Sequence, residues 1–340
     1  MGTHAIVGAG SVGTATALVL VEQGHDVVLV TRSGSGPDRP GITRVAADAS
    51  DPAALAAAVG HPDAVYNCAN PPYHRWPELW PPMASAVLEV ATATGAVLVI
   101  MGNLYGYGPV DHPMTEDDAL AATFSKGRIR AGMWADALAA HRAGRVRVTE
   151  ARASDFYGPG VVETSFFGRN VDRMLAGKKA YVLGAVDEPH AATYVPDVGR
   201  TLAALGTDER AWGLPWHVPT AAAVSQRRMA ERFCQVAGAP AARIASIPRA
   251  MLTAVGVVAP RVRGFRETRY QFDRPFLLDS SACTATFGIT ATPMDDAFAA
   301  IAEHTRHGAG GDRRRPGPRR PERLTRLAVD GDTGGGTRRH

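Results

Sequence analysis

The amino-acid sequence predicts an α/β fold built on a doubly wound parallel sheet with helices on both faces. Two observations predict it. Short β-branched runs alternate with helical segments through the first half of the chain, which is typical of parallel strands joined by helical crossovers. Residues 26–30 form a nearly continuous β-branched run, as expected for a strand buried on both faces.

Each predicted element follows from its local sequence. The first strand ends at Gly8, and the small residues that follow form a helix closed by Gly24. Pro52 suits the first turn of the second helix. The predicted strands are residues 4–7, 26–30, 43–46, 64–67, 96–100 and 145–150, and the predicted helices are residues 14–23, 52–59, 83–93 and 128–143. Between them, prolines surround Tyr73, Trp76 and Trp80, which predicts a rigid loop at a ligand entrance.

The second half of the chain has a looser pattern, which predicts a smaller C-terminal substrate-binding lobe over the carboxyl edge of the sheet. Its predicted helices are residues 165–176, 225–237 and 294–304, and its predicted strands are residues 181–183 and 192–195. We assign residues 1–160 to the core and residues 161–307 to a mixed segment that completes the core and forms the lobe. Residues 308–340 are rich in Gly, Pro and Arg, which predicts a disordered basic tail.

The charge distribution argues against a nucleic-acid partner. The chain carries 37 Lys and Arg against 33 Asp and Glu. Nine arginines and four acidic residues lie after residue 307, so the tail carries +5 and residues 1–307 carry −1. A domain that binds a duplex would need positive charge on its folded surface.

Other features predict a cytoplasmic protein that acts on a small molecule. No apolar stretch is long enough for a membrane span, and the N-terminus lacks the basic region of a signal peptide. The cysteines Cys68, Cys234 and Cys283 are isolated, which fits a reducing compartment. Residues 187–190 hold crowded acids and a histidine, for which we expect a turn with His190 facing the pocket rather than a metal site.

A glycine motif predicts the cofactor. Residues 8–13 read Gly-Ala-Gly-Ser-Val-Gly between the first strand and the first helix. In that context Gly8 permits a tight turn, Gly10 allows the backbone to approach a pyrophosphate, and Gly13 allows close packing of helix and strand. Ser11 and Val12 lie in the motif just before the predicted helix, whose free N–H groups would bind the phosphates. The core is therefore predicted to be a Rossmann-type dinucleotide-binding unit.

The end of the second strand predicts which dinucleotide binds. An Asp or Glu here usually bonds the ribose hydroxyls of NAD, but this strand ends in Thr31, Arg32 and Ser33. Arg32 would pair with a 2′-phosphate, and the two hydroxyls could add hydrogen bonds. NADP(H) is therefore the predicted cofactor, with Arg39 nearby as an alternative partner for the phosphate.

Over residues 3–305 the chain resembles the extended short-chain dehydrogenase/reductase family, the group that holds nucleotide-sugar epimerases and dehydratases. The matching segments are Asp48, Cys68-Ala69-Asn70, Leu104-Tyr105-Gly106, residues 152–160 and residues 194–198. The resemblance implies that Asp48 lies near the adenine and that Cys68, Ala69 and Asn70 lie along the cofactor. It also implies that residues 152–160, with Phe156, lie beside the nicotinamide.

The catalytic motif of that family is altered in this chain. The family uses Tyr-x-x-x-Lys on a long helix, with a Ser or Thr upstream. Aligned on the helix, Lys126 stands at the Tyr position and Arg130 at the Lys position, which holds the nicotinamide ribose. Placing Lys126 at the Lys position instead puts Ala122 at the Tyr position, and Met101 stands at the Ser/Thr position in both cases.

Three interpretations of the altered motif remain open. Another group supplies the proton, for which Lys126, Tyr105 and Tyr157 are the candidates. Alternatively, water or substrate carries the proton, or the fold binds NADP(H) without turnover as a redox sensor. We expect NADP(H)-dependent reduction or oxidation of a C=O, C=N or C=C bond, with epimerisation or dehydration through a transient oxidised intermediate as the alternative. The resemblance also implies a homodimer.

Overall fold

The computed structural model describes residues 1–162, 165–248 and 267–311. The strands of these residues are β1 (Thr3–Val7), β2 (Asp26–Thr31), β3 (Ile42–Ala46), β4 (Ala64–Asn67), β5 (Val97–Asn103), β6 (Arg147–Ala153), β7 (Asp155–Tyr157), β8 (Ala180–Val182), β9 (Pro189–His190), β10 (Ala192–Tyr194), β11 (Pro215–His217), β12 (Val224–Ser225) and β13 (Ile244–Ser246). The α-helices are α1 (Ser11–Glu22), α2 (Pro52–Val59), α3 (Trp76–Thr94), α4 (Ser125–Arg142), α5 (Val171–Leu175), α6 (Val195–Thr207), α7 (Gln226–Val236), α8 (Tyr270–Asp273), α9 (Ser281–Phe287) and α10 (Met294–Gly311).

The central sheet has seven parallel strands in the order β11-β6-β5-β4-β1-β2-β3. Alternate residues of each strand point to opposite faces. On one face Ile6 packs in a core with α1 and α6, and on the other Ala5 packs in a core with α2, α3 and α4. The predicted Rossmann-type, doubly wound parallel sheet is therefore confirmed.

Smaller strand pairs lie outside this sheet. Strand β7 pairs with β10 and β8 pairs with β13, both in parallel orientation, whereas β9 and β12 are antiparallel. A separate apolar core holds Tyr157, Phe233 and Phe298, with residues of α5, α7 and α10 around them. Because β7 follows β6 after one residue, this second core lies next to the carboxyl edge of the sheet, where ligands bind in open α/β folds.

Some predicted boundaries are wrong. Helix α3 begins at Trp76 rather than residue 83, so the expected proline-rich loop is largely helical. Pro77 lies in the first turn, where an N–H has no helical partner, and the burial of Trp76 and Trp80 outweighs the low helix propensity of the next two prolines. The helix predicted at residues 165–176 is shorter in the structure, where a 3₁₀ turn at Gly168–Asn170 leads into α5 at Val171–Leu175.

Two elements in the second half of the chain also differ from the sequence prediction. Strand β11 was not predicted, because three residues that begin with proline carry no β-branched pattern. Helix α10 continues to Gly311, so the first residues of the predicted disordered tail are helical. Residues 312–340, the rest of that predicted tail, lie outside the described residues. No helix among the described residues is long and apolar enough to cross a membrane.

Candidate active site

The glycine motif forms a tight connection between β1 and α1. Gly8 has a φ of +103° and donates its backbone N–H to the Val30 carbonyl oxygen at 2.8 Å. A Cβ on Gly8 would lie 2.9 Å from backbone atoms of Ala69, and one on Gly13 would overlap the carbonyl oxygen of Gly8. A Cβ on Gly10 would have no described atom within 4 Å. Gly8 and Gly13 therefore allow close packing, whereas Gly10 faces open space.

A cavity of about 380 Å³ begins at this motif. Gly10, Ser11 and Val12 line it, and no side chain of the described residues caps the N-terminus of α1. The N–H groups and the positive end of the helix dipole are therefore available to an anion such as a pyrophosphate. The other predicted cofactor residues that line this cavity are Cys68, Ala69, Asn70, Met101, Arg130 and Phe156.

The residues predicted to select the dinucleotide lie at the same edge of the sheet but outside this cavity. Arg32 follows β2 directly, and its side chain is exposed. Thr31 Oγ1 donates to the Ser35 carbonyl oxygen at 3.1 Å, and Ser33 Oγ donates to Ser35 Oγ at 3.0 Å. In this structure the two hydroxyls therefore bond to Ser35, whereas the Arg32 side chain extends into solvent.

Asp48 follows β3 and lies near Arg32. Its Oδ1 accepts hydrogen bonds from the backbone N–H of Ser50 at 2.9 Å and from Ser50 Oγ at 2.7 Å. These two bonds lower the pKa of Asp48, and the Arg32 cation lowers it further. The carboxylate is therefore ionised at neutral pH and belongs to the same end of the sheet as the glycine motif.

Helix α4 brings Arg130 to the wall of the cavity. Its guanidinium donates to the Met101 carbonyl oxygen at 3.0 Å and lies 4.8 Å from the ring centre of Trp76 and 4.4 Å from that of Trp80. Burial lowers the pKa of Arg130 to about 10, which leaves it charged at neutral pH, and the Glu150 carboxylate opposes that shift. Arg130 Nε has no partner among the described residues. The side chain thus retains capacity to bind a ligand.

Lys126 lies one turn before Arg130 but does not line the cavity. It is buried, with Nζ 3.4 Å from Glu267 Oε2 and 4.7 Å from the ring centre of Tyr73. The backbone N–H of Lys126 also donates to Glu267 Oε2 at 3.2 Å. The structure thus gives Lys126 a partner from a part of the chain 141 residues away, which no local pattern could indicate.

Two tyrosines line the cavity with their hydroxyl groups close together. Tyr73 Oη lies 3.1 Å from Tyr105 Oη and 3.0 Å from the Thr268 hydroxyl. Burial raises the pKa of Tyr73 to about 12 and raises the pKa of Tyr105 well above its usual value. Both phenols are therefore protonated at neutral pH. The Tyr73 hydroxyl donates its one hydrogen to Tyr105 or Thr268, which leaves the Tyr105 hydroxyl to bind an oxygen of a ligand.

Tyr157, the third predicted catalytic residue, lies away from this cavity. Its ring packs against Phe167, Tyr194 and Phe298 and is almost fully buried. It borders a second cavity of about 50 Å³ that lies in the smaller core. Burial raises the pKa of Tyr157. These contacts give Tyr157 a packing role in the structure.

A pair that sequence analysis did not identify lies between the two cavities. Asp155 lines both of them, and its Oδ2 lies 2.7 Å from His190 Nε2. The matching segment at residues 152–160 contains Asp155, and His190 was expected to face the pocket, but the 35 intervening residues hid the contact. The structure thus places a carboxylate on the wall of the larger cavity, bonded to an imidazole that lines the second cavity.

Comparison with known proteins identifies the family. A model of the "NAD dependent epimerase/dehydratase family" matches residues 5–212. A search of curated proteins gives no match. Many solved structures share the fold, and three of them illustrate the similarity. MoeE5 in complex with UDP-glucose and NAD is 21% identical, with a TM-score of 0.73, over 91% of this chain and 100% of that chain.

The other two structures are epimerases from microorganisms of high-temperature habitats. The epimerase of Methanothermobacter thermautotrophicus is 17% identical, with a TM-score of 0.76, over 91% of this chain and 93% of that chain. The UDP-glucose 4-epimerase of Thermotoga maritima, solved with UDP-glucose, is 15% identical, with a TM-score of 0.74, over 90% of this chain and 99% of that chain. At these identities the structures show a common fold, whereas the match over residues 5–212 shows the family. The chain is a member of the NAD dependent epimerase/dehydratase family.

Proposed function

We propose that this protein binds NADP(H) and catalyses epimerisation or dehydration of a hydroxyl-bearing small molecule through a transient oxidised intermediate. The observation that carries the proposal is the continuity of one cavity from the N-terminus of α1 to Asp155. Anion-binding N–H groups lie at one end, and proton-bearing side chains lie at the other. A dinucleotide and a small substrate would therefore meet in a single cavity.

Some residues that line the cavity suit a bound dinucleotide, and others suit a substrate beside it. The N–H groups at Ser11 and Val12 would hold the pyrophosphate, and Arg130 would hold the nicotinamide ribose. Met101 and Phe156 provide apolar walls that exclude water, and the Tyr105 hydroxyl would orient a substrate oxygen. The bound nicotinamide would supply the capacity to accept and return a hydride.

The preference for NADP(H) rests on Arg32. No carboxylate stands at the end of β2, and the exposed guanidinium there can form paired hydrogen bonds with a 2′-phosphate. The solved relative MoeE5 contains NAD, so the cofactor choice is a specific question about this chain.

Net reduction of a carbonyl or imine by NADPH is a second candidate function. The raised pKa values of Tyr73 and Tyr105 favour it, because a neutral phenol donates a hydrogen bond but does not remove a proton from an alcohol. Reduction needs only an acid, whereas epimerisation needs an acid and a base in turn.

Binding is tested by quenching of tryptophan fluorescence, since Trp76 lines the cavity. Micromolar affinity for NADPH is expected, and failure of both NADPH and NADH to bind would refute the proposal. UDP-glucose, UDP-glucuronic acid and dTDP-glucose are then incubated with a trace of NADP⁺, and products are identified by NMR.

A carbonyl and imine panel is incubated with NADPH in parallel. A new sugar without net change in cofactor supports epimerisation or dehydration. Consumption of one NADPH for each product molecule supports reduction instead.

A further inference from the structure

We propose that Asp155 is the catalytic residue that exchanges a proton with the substrate, and that His190 is the positioning residue that holds this proton in the resting protein. The inference rests on the proposed hydride-transfer function and supplies the proton donor that the altered Tyr-x-x-x-Lys motif leaves open. It follows from the hydrogen bonds of one imidazole ring.

Both ring nitrogens of His190 face hydrogen-bond acceptors. Nδ1 lies 3.1 Å from the Gln271 carbonyl oxygen, and Nε2 lies 2.7 Å from Asp155 Oδ2. A carbonyl oxygen can only accept, so Nδ1 carries a hydrogen. Nε2 and a carboxylate oxygen also need a proton between them at this distance. The pair is therefore either imidazolium with carboxylate or imidazole with carboxylic acid, and both forms hold one transferable proton.

The surroundings fix the imidazole in this orientation. Its ring is stacked between Phe272, at a centroid distance of 4.7 Å, and Phe276, at 5.3 Å. The His190 side chain is 8% exposed, whereas that of Asp155 is 23% exposed and lines both cavities. Asp155 is thus the member that a substrate reaches, and His190 lies behind it.

Three phenols among the described residues interact with the charge of Asp155. They belong to Tyr73, Tyr105 and Tyr270, which lie in the turn before α3, in the turn after β5 and in α8. Arg169 lines the same cavity, and its guanidinium can only donate hydrogen bonds. Burial raises the pKa of each phenol, so each phenol retains its proton. Asp155 and His190 differ from these phenols in pairing a carboxylate with an imidazole, with 2.7 Å between Oδ2 and Nε2.

The proton balance of the step is simple. In reduction, a bound NADPH would supply the hydride to the substrate carbon as the C=O π bond breaks. The oxygen would take the proton from Asp155, which forms the O–H bond and leaves a neutral His190 and an ionised Asp155. Solvent would then return a proton to the pair. In oxidation the same carboxylate would accept the alcohol proton, and a bound NADP⁺ would accept the hydride.

The first test needs no substrate. In the intact protein labelled with ¹⁵N-histidine, NMR of the ring nitrogens is recorded through the neutral pH range. We expect His190 Nδ1 to stay protonated throughout and the proton shared with Asp155 to give a strongly downfield signal. In Asp155→Asn, which keeps a hydrogen bond to Nε2 but holds no acidic proton, that signal disappears. An unprotonated Nδ1 in the wild-type protein would overturn the proposal.

The second test uses the substrate that turns over in the screen above. Asp155→Asn should lower kcat at least about hundredfold and change the Kd for NADPH less than threefold, since general acid catalysis contributes about 10²–10⁴ in rate. His190→Gln should move the high-pH fall of kcat to lower pH, because the transferable proton is then held by the carboxyl group alone, and carboxyl groups ordinarily ionise about two to three pH units below imidazolium. Asp118→Asn is the control, because Asp118 accepts a hydrogen bond from His112 at 3.1 Å but lines neither cavity.

The outcomes separate this inference from the proposed function. If the wild-type protein did not bind NADPH, the proposed function would be refuted. The NMR experiment would still test whether Asp155 and His190 share a proton. Unchanged kcat in Asp155→Asn, or an equal loss in Asp118→Asn, would refute the role of the pair. A hundredfold loss in Tyr105→Phe combined with an active Asp155→Asn would assign the proton to the phenol instead.

Discussion

Arg130 donates a hydrogen bond to the carbonyl oxygen of Met101 at 3.0 Å, and this contact holds a buried cation on the wall of the cavity. The rings of Trp76 and Trp80 lie on the same guanidinium. The bond uses the backbone carbonyl oxygen of Met101, so it depends on the side chain of Arg130 and not on that of Met101.

Replacing Arg130 should weaken cofactor binding. We expect Arg130→Met to raise the Kd for NADPH about tenfold or more, because a buried charge-assisted hydrogen bond is worth about 1.5–3 kcal/mol. Fluorescence titration measures the change. Arg142→Met, at the exposed end of the same helix, is the matched control and should bind NADPH normally. Equal affinity in both variants would show that Arg130 serves packing alone.

Gly10 and Gly13 should respond differently to alanine. A methyl group on Gly10 enters open space, and its φ of −69° suits any residue, so Gly10→Ala should fold normally but lose at least tenfold in affinity for NADPH. Gly13→Ala would overlap the Gly8 carbonyl oxygen and should lower the free energy of unfolding by about 1–3 kcal/mol. Urea unfolding and NADPH titration of both variants check this. Equal stability of the two would contradict the packing role of Gly13.

Arg32 should distinguish the two dinucleotides. Arg32→Ala is expected to weaken NADPH at least tenfold and NADH less than twofold, because only NADPH carries the 2′-phosphate. Arg39→Ala is the control for the nearby arginine that sequence analysis offered as an alternative. Equal losses for both cofactors in Arg32→Ala would contradict the assignment, and a selective loss in Arg39→Ala would transfer it to Arg39.

His4 should make stability depend on pH. It is buried in β1, with Nε2 3.0 Å from His25 Nδ1 and Nδ1 3.1 Å from the Tyr66 hydroxyl. Burial lowers the pKa of His4 to about 4, and His25 contributes to the shift. The unfolded chain binds this proton at a pH of about 6.5, so its stabilising contribution is present above that pH and is lost as the pH falls toward 4.

The measurement is urea unfolding at about pH 7 and pH 5, where unfolded histidine gains its proton. Between pH 7 and pH 5 the free energy of unfolding of the wild-type protein should fall by about 1–2 kcal/mol more than that of His4→Gln. His61→Gln, a histidine on an exposed turn, is the control and should follow the wild-type protein. An identical pH dependence of His4→Gln and wild type would show that His4 does not contribute.

The local sequence determined much of the fold and the cofactor end of the site. Strands β1 to β6 follow from β-branched runs, and the glycine motif at Gly8 follows from its position between a strand and a helix. These signals are local, because strand propensity and a tight strand–helix turn depend on neighbouring residues. Parallel strands then bring their carboxyl ends to one edge, which places the predicted residues together.

The tertiary structure alone decided which side chains from distant parts of the chain bind one another. Asp155 meets His190 across 35 residues, Lys126 meets Glu267 across 141, and Tyr73 meets Thr268 across 195. Burial also raised the pKa values of Tyr73 and Tyr105, which a sequence pattern does not express. The sequence identified Lys126 as a side chain that could carry chemistry, but it did not identify Asp155 or Glu267. Their pairing depended on contacts between distant segments and on exclusion of water, and both arise only when the chain is folded.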